Sequence, residues 1–166
     1  MVVGASGEDS NATGINGNQT NNGASRAGAA YVFSRTGNTW TQESYLKASN
    51  GEADDVFGSV VFISLDGTRI AVGARNEDSN ATGFNGSQSN NSRTNSGAVY
   101  IFRSTAGTWV QEAYIKASNT ANFDSFGTSV SLNEDASTLV VGAAGEESNA
   151  TGINGCLLYT SPSPRD

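Results

Sequence analysis

Apolar residues in the middle of the chain alternate with their neighbours and do not recur at helical spacing. Val61, Ile63 and Leu65 interleave with Val60, Phe62 and Ser64, the period of two that sends successive side chains to opposite faces of a strand. Asp66-Gly67 then supplies a tight-turn signal, because glycine accepts positive φ. A second strand follows, Arg69-Ile-Ala-Val-Gly-Ala74, whose small terminal residues admit close sheet packing. A polar loop from about Arg75 to Ser96 leads to a third strand, Gly97-Ala-Val-Tyr-Ile-Phe-Arg103, a turn at Ala106-Gly107, and a fourth strand from Thr108 to Lys116. No stretch holds apolar residues at i, i+3, i+4, i+7 for three turns, so the pattern predicts an all-β chain.

The pattern is periodic on a longer scale. Glu8-Asp-Ser-Asn-Ala-Thr-Gly-Ile-Asn-Gly returns at Glu77 with Phe84 in place of the Ile and at Glu146 with Glu147 in place of the Asp, each copy 69 residues after the last. The same offset links Gly4, Gly73 and Gly142, Tyr31 with Tyr100, and Trp40 with Trp109. Val130 and Leu132 replace Val61 and Ile63, whereas Ser129 and Ser131 replace Val60 and Phe62, so the first pair of positions marks the face that must stay apolar. A fixed long period means an array of one supersecondary unit. Four antiparallel strands cannot bury both faces alone, but stacked face to face they form β-propeller blades. A parallel β-helix is the other repeat architecture, though its coils are shorter than this unit.

Phe57-Gly58 and Phe126-Gly127, each followed by a hydrophobic strand and then by Gly73-Ala74 or Gly142-Ala143, resemble the FG-GAP repeats of integrin-α-like β-propellers, in their bacterial type. The resemblance covers residues 1–155 and implies a ring, often of seven blades, that is extracellular or on the cell surface, non-enzymatic, and used for binding or adhesion. Residues 1–56 then form a partial blade, 57–125 a complete one and 126–155 the start of the next, about two to two and a half blades in all. Met1-Val-Val-Gly-Ala5 occupies the register of Leu139-Val-Val-Gly-Ala143, which suggests an internal piece of a longer protein, with the remaining blades of the parent chain as partners and apolar blade faces bare at both ends. Residues 156–166, Cys-Leu-Leu-Tyr-Thr-Ser-Pro-Ser-Pro-Arg-Asp, resemble the translation of a sequencing adapter and are set aside from fold reasoning.

Composition narrows the function classes. The 166 residues carry a formal charge of −7, which argues against nucleic acid, whose affinity rests on Lys and Arg. Residues 1–155 contain neither His nor Cys, so no Ser–His or Cys–His constellation exists. A thiolate–zinc site and a disulfide framework are excluded as well, and this stretch shows no membrane span. Asp54-Asp55 is not a catalytic pair by this reading, because neighbours on a strand face opposite ways and the next unit has Phe123-Asp124. Lys47 and Lys116 precede loops holding Asp54, Asp55 and Asp124, which suggests solvated ion pairs.

Binding chemistry concentrates in the long loops. Integrin-like propellers hold calcium in an Asp-x-Asp-x-Asp-Gly hairpin between the first two strands of a blade, but the hairpins here, Ser64-Leu-Asp-Gly-Thr68 and Asn133-Glu-Asp-Ala-Ser137, are short and poor in carboxylates. The loops at about 7–27 and 76–96 instead place side-chain oxygens at alternate positions, Asp9, Asn11 and Thr13 before Gly14, and Asp78, Asn80 and Thr82 before Gly83. That is the first half of a Ca2+ loop, without the closing Glu. The alternative is an Asx-turn network serving the loop's own backbone. With Asn16, Asn18 and Asn85, these residues are the candidates for ligand hydrogen bonding or weak Ca2+ binding at a rim shared with loops 48–56 and 117–125. A protein or glycan is the expected ligand class. A structural spacer and an accessory domain of a secreted hydrolase are the competing roles. Asn11, Asn18, Asn80, Asn85, Asn90 and Asn149 match glycosylation acceptors, as chance predicts in so Asn-rich a loop. Trp40 and Trp109, with Tyr45 and Tyr114, suit packing between blades better than sugar stacking.

Overall fold

A computed structural model describes residues 1–151; the end of the third loop copy and the adapter-like segment 156–166 lie outside the described residues. Strands β1 (Val2–Ala5), β2 (Ala29–Thr36) and β3 (Thr39–Leu46) form a three-stranded sheet. A four-stranded sheet follows from β4 (Val60–Ile63), β5 (Arg69–Ala74), β6 (Ala98–Thr105) and β7 (Thr108–Ile115). Finally β8 (Phe126–Leu132) pairs with β9 (Leu139–Ala143). Every neighbouring pair within a sheet is antiparallel and consecutive in sequence, so the sheets are propeller-type meanders and not the coils of a parallel β-helix.

The strands follow the alternation except at two features: a bulge opposite Ile101 and Phe102, where β7 carries the extra residue Glu112 so that Trp109 and Tyr114 share a face, and the end of β4. The first strand of the complete unit ends at Ile63, and Leu65 is 77% exposed. Asp66 takes over the turn: its Oδ1 accepts from Ser64 Oγ at 2.6 Å and from the Thr68 amide at 3.0 Å. Leu65 is therefore a turn residue and not the last apolar position of the strand.

Two apolar layers separate the three sheets, and alternate residues of the four-stranded sheet feed one or the other. Ile70, Val72, Tyr100, Phe102, Trp109 and Tyr114 meet Ala30, Val32 and Leu46 of the first sheet, with Phe57 between. Ala71, Val99, Ile101 and Ile115 meet Val130 and Leu132 of the third. β4 serves both layers, Val61 and Ile63 on one side and Val60 and Phe62 on the other. Phe57 sets the geometry of the first layer, its ring edge-on to Tyr100 at 5.3 Å and to Phe102 at 6.1 Å.

Where sheets approach most closely, the backbones touch. The Phe57 amide donates to Ala27 O at 3.0 Å, and Gly28 bridges Phe57 in parallel. The next unit repeats this, with Phe126 N donating to Ser96 O at 2.9 Å. Gly28 and Gly97 hold φ of 82° and 81°, and a methyl on either would overlap the carbonyl of the following Phe. A methyl on Gly73 would likewise overlap the Gly127 carbonyl oxygen. The Phe-Gly and Gly-Ala positions thus have a plain physical role: the aromatic ring fills the layer, and the glycines let one sheet's backbone lie on the next.

This separates two kinds of glycine. Gly73→Ala should destabilise the chain by about 3 kcal/mol, the cost of forcing a backbone contact apart. Gly107→Ala, at a hairpin φ of 80° with open space around it, should cost only about 1 kcal/mol. Urea unfolding of the two variants gives the comparison.

Candidate functional site at the loop rim

Both classes of loop predicted to share a rim do so. The 48–56 loop touches both long loops: Ser49 Oγ donates to Gln88 Oε1 at 2.8 Å, Asp54 N donates to Ser25 O at 2.8 Å, and Arg26 pairs with Asp54 at 3.3 Å. What holds the rim is a buried polar network the sequence reading did not find. Lys116 Nζ lies 2.7 Å from Glu77 Oε2, and the two side chains are 0% and 1% exposed. Ser96 Oγ accepts from the same ammonium at 2.6 Å. Glu77 Oε1 accepts from the Tyr114 hydroxyl and from Asn50 Nδ2, both at 2.9 Å. Tyr114 also hydrogen-bonds Ser79, and Asn50 Oδ1 accepts from the Tyr100 hydroxyl at 2.6 Å.

The expectation of solvated pairs between these lysines and Asp54, Asp55 or Asp124 is overturned. Lys116 pairs with Glu77 and Lys47 with Glu8, the latter at 2.9 Å, across 39 residues of sequence. Each lysine stem runs beneath its own long loop, and Lys47 adds a bond to Ser10 O at 2.7 Å. Burial pulls the Lys116 ammonium below its usual range, while Glu77 acts against that shift. Two charges out of water are tolerable only with this many partners. The network closes the base of the loop and, through Asn50, ties it to the preceding sheet.

The predicted site residues fall into two groups. One group builds the loop. Asp9 Oδ1 accepts from Arg26 N at 2.7 Å, and Asp78 Oδ1 from Asn95 N at 2.7 Å. Asn16 and Asn85, at φ of 55° and 52°, accept from the Tyr45 and Tyr114 amides at 2.9 Å each, so the loop folds back as an added bridge on the fourth strand. Asn18 Oδ1 accepts from Thr20 N at 2.8 Å. The other group faces solvent. Asn11, Thr13, Asn80 and Thr82 are exposed, and their side chains make no hydrogen bond to the described residues.

No cluster of three or more His, Cys, Asp or Glu stands in position to hold a metal among the described residues. In the short hairpin Asp66 spends both oxygens on Ser64 and Thr68, which hold its carboxyl down at about 2, and Asp135 Oδ1 accepts from both the amide and the hydroxyl of Ser137.

The sequence profile of the FG-GAP repeat matches residues 40–102 and 109–155. The chain belongs to the FG-GAP repeat family. Comparison with curated proteins and with solved structures returns no match. In FG-GAP terms the signature residues Phe57, Gly58, Gly73 and Ala74, with Phe126 and Gly127, occupy the contacts between sheets, while Gly142 and Ala143 pair with β8 inside the third sheet. The rim therefore depends on the less conspicuous Glu, Lys, Asn and Tyr positions beside the FG-GAP signature.

Two predictions follow from the buried charges. Removing one partner, in Glu77→Gln or Lys116→Met, should cost about 3–5 kcal/mol. Glu77→Gln combined with Lys116→Met should cost less than the sum, as a double-mutant cycle by chemical denaturation will read. Asp55 is buried beside Glu77, Asp78 and Glu52, and its carboxyl is raised from 3.8 to about 7, burial being the larger cause. The folded state then binds a proton the unfolded state has released, so Asp55's contribution is greatest below pH ~4 and is lost as pH rises through about 7. Thermal unfolding from pH 4 to 8 should show this decline, and Asp55→Asn, which keeps an acceptor for Glu52 N, should flatten it.

Proposed function

We propose that this FG-GAP module is a non-enzymatic, extracellular or cell-surface binding domain whose ligand rests on the rim formed by the long loops. The observation that carries this is the division of labour within each loop. Asp9, Asn16 and Asn18, like Asp78 and Asn85, spend oxygens on the loop's own structure, whereas Asn11, Thr13, Asn80 and Thr82 present amides and hydroxyls outward.

A preformed loop loses little conformational freedom on binding, which favours affinity from few contacts. The same Asn-x-Thr set recurs one unit on, over 69 residues of sequence, so a ligand with its own repeated polar groups engages both loops and gains from their proximity. A glycan chain has that character. Weak Ca2+ binding would draw on Asp9 and Asp78 with backbone carbonyls, at roughly millimolar affinity.

The test is a binding screen of the purified chain against neutral and acidic polysaccharides, with calcium and with chelator. Binding should appear for a neutral polysaccharide and fall about tenfold or more in Asn11→Ala combined with Asn80→Ala. Loss of binding on chelation would assign calcium a part. No binding to any polysaccharide, or binding indifferent to the two asparagines, would favour a spacer or an accessory role in a larger enzyme.

A further inference from the structure

The two connections between sheets share a backbone and differ in their side chains. In the first, Asp54 N donates to Ser25 O at 2.8 Å and Val56 N to Arg26 O at 3.0 Å. In the second, Phe123 N donates to Thr94 O at 2.8 Å and Ser125 N to Asn95 O at 3.0 Å. Even the left-handed backbone recurs, with φ of 68° at Asp54 and 66° at Phe123. Three side chains at this spot change together one period on. The exposed pair of Asp54 with Arg26 becomes Phe123 and Asn95. Asn76, whose Nδ2 donates to Asp54 O at 3.1 Å, becomes Gly145.

Folding gives no reason for a phenyl ring there. Phe123 is 59% exposed and belongs to neither apolar layer. Positive φ suits Asp, Asn or Gly and is unfavourable for a bulky side chain. Nor does the ring stand bare for want of a neighbouring loop. At the first connection both long loops flank the same position, and the Asp54 side chain is still 65% exposed. A large apolar side chain left in solvent on strained backbone, at a position its neighbours keep open, marks a contact surface.

The surroundings narrow what that surface takes. Thr94 and Asn122, joined to Phe123 through the backbone, are exposed and uncharged. The half-buried Asn95 side chain makes no hydrogen bond to the described residues. Arg93, exposed in the same turn, adds N–H donors that a hydroxyl can accept. A protein interface centres on a cluster of apolar side chains, whereas here one ring stands among amides and hydroxyls. A sugar fits that mixture. A pyranose whose substituents are all equatorial offers a bare C–H face to the ring and a rim of hydroxyls to the polar groups.

We infer that Phe123 is the stacking platform of a glycan subsite on the rim, taking the C–H face of a neutral, β-linked glucopyranose unit. The subsite depends on the rim being a glycan-binding surface, as proposed above, and adds the group that selects the sugar. Thr94, Asn95 and Asn122 pair with the hydroxyls of that unit. The first connection carries an ion pair in place of the platform, so two connections alike in backbone differ in what they bind.

Isothermal titration calorimetry of the full chain with cellohexaose tests this, with inulin, a fructofuranose polymer, as the contrast. Cellohexaose should bind and inulin should not, and Phe123→Ala should weaken cellohexaose about tenfold or more. Phe123→Trp, which keeps the platform, should keep the affinity. Asp54→Ala, the same position at the first connection, should leave it unchanged. The urea midpoint of Phe123→Ala should not fall; a fall would make the ring structural and overturn the subsite. Binding that Phe123→Ala leaves intact also overturns it, while the rim reading stands. So does equal binding of inulin, or no binding of cellohexaose. In that last case the rim reading falls as well only if every polysaccharide of the wider screen fails.

Discussion

The structure depends on one close approach, the laying of the backbone at each Phe-Gly onto the strand that opens the preceding β6-type segment. There the Phe57 and Phe126 amides donate across sheets to Ala27 and Ser96 at 3.0 and 2.9 Å, and glycines on both sides leave no Cβ in the way. A hydrogen bond between sheets is directional where apolar packing is not, so it fixes how one sheet is set against the next. The aromatic layer then fills what that spacing leaves open, with Phe57 wedged against Tyr100 and Phe102.

The rim is a consequence of the same contact. The residues leading into each Phe-Gly, at 48–56 and 117–125, belong to the connection between sheets, so they arrive beside the long loop of the preceding sheet. The buried Glu–Lys pair then anchors the long loop from below, and Asn50 carries the anchor across to its neighbour. A rim made of irregular backbone is held from below by buried charges. Two Glu–Lys pairs, Glu8 with Lys47 and Glu77 with Lys116, lie under the rim, and the uncharged side chains of Asn11, Thr13, Asn80 and Thr82 face solvent above them.

Much of this architecture was legible in the sequence, because its signals are local and repeated. Alternation named the strands of the complete unit, and glycines at Asp66-Gly67 and Ala106-Gly107 named the hairpins. The Phe-Gly and Gly-Ala spacing named the family. What was not legible is what depends on contacts far apart in the chain. Lys116 and Glu77 lie 39 residues apart, and nothing near either one singles out the other over Asp124. Only the recurrence of Glu8 with Lys47 and of Glu77 with Lys116, both in phase, carried that signal.

The long loop shows the same limit. Alternating Asp, Asn and Thr reads equally as cation ligands or as turn builders, because the same oxygens serve either purpose. The structure assigns Asp9 and Asp78 a backbone amide each and turns Asn11 and Asn80 outward. Trp40 and Trp109 occupy equivalent positions in sequence yet differ in burial, because burial depends on which sheet lies next door. The inter-sheet backbone contact locks successive sheets into one cooperative unit. Hydrogen exchange of the Phe57 and Phe126 amides tests it most directly. Their protection should equal that of the β6 amides and be released only with global unfolding. Exchange at the rate of the open hairpin tips, while β6 stays protected, would show that the sheets move independently and contradict it.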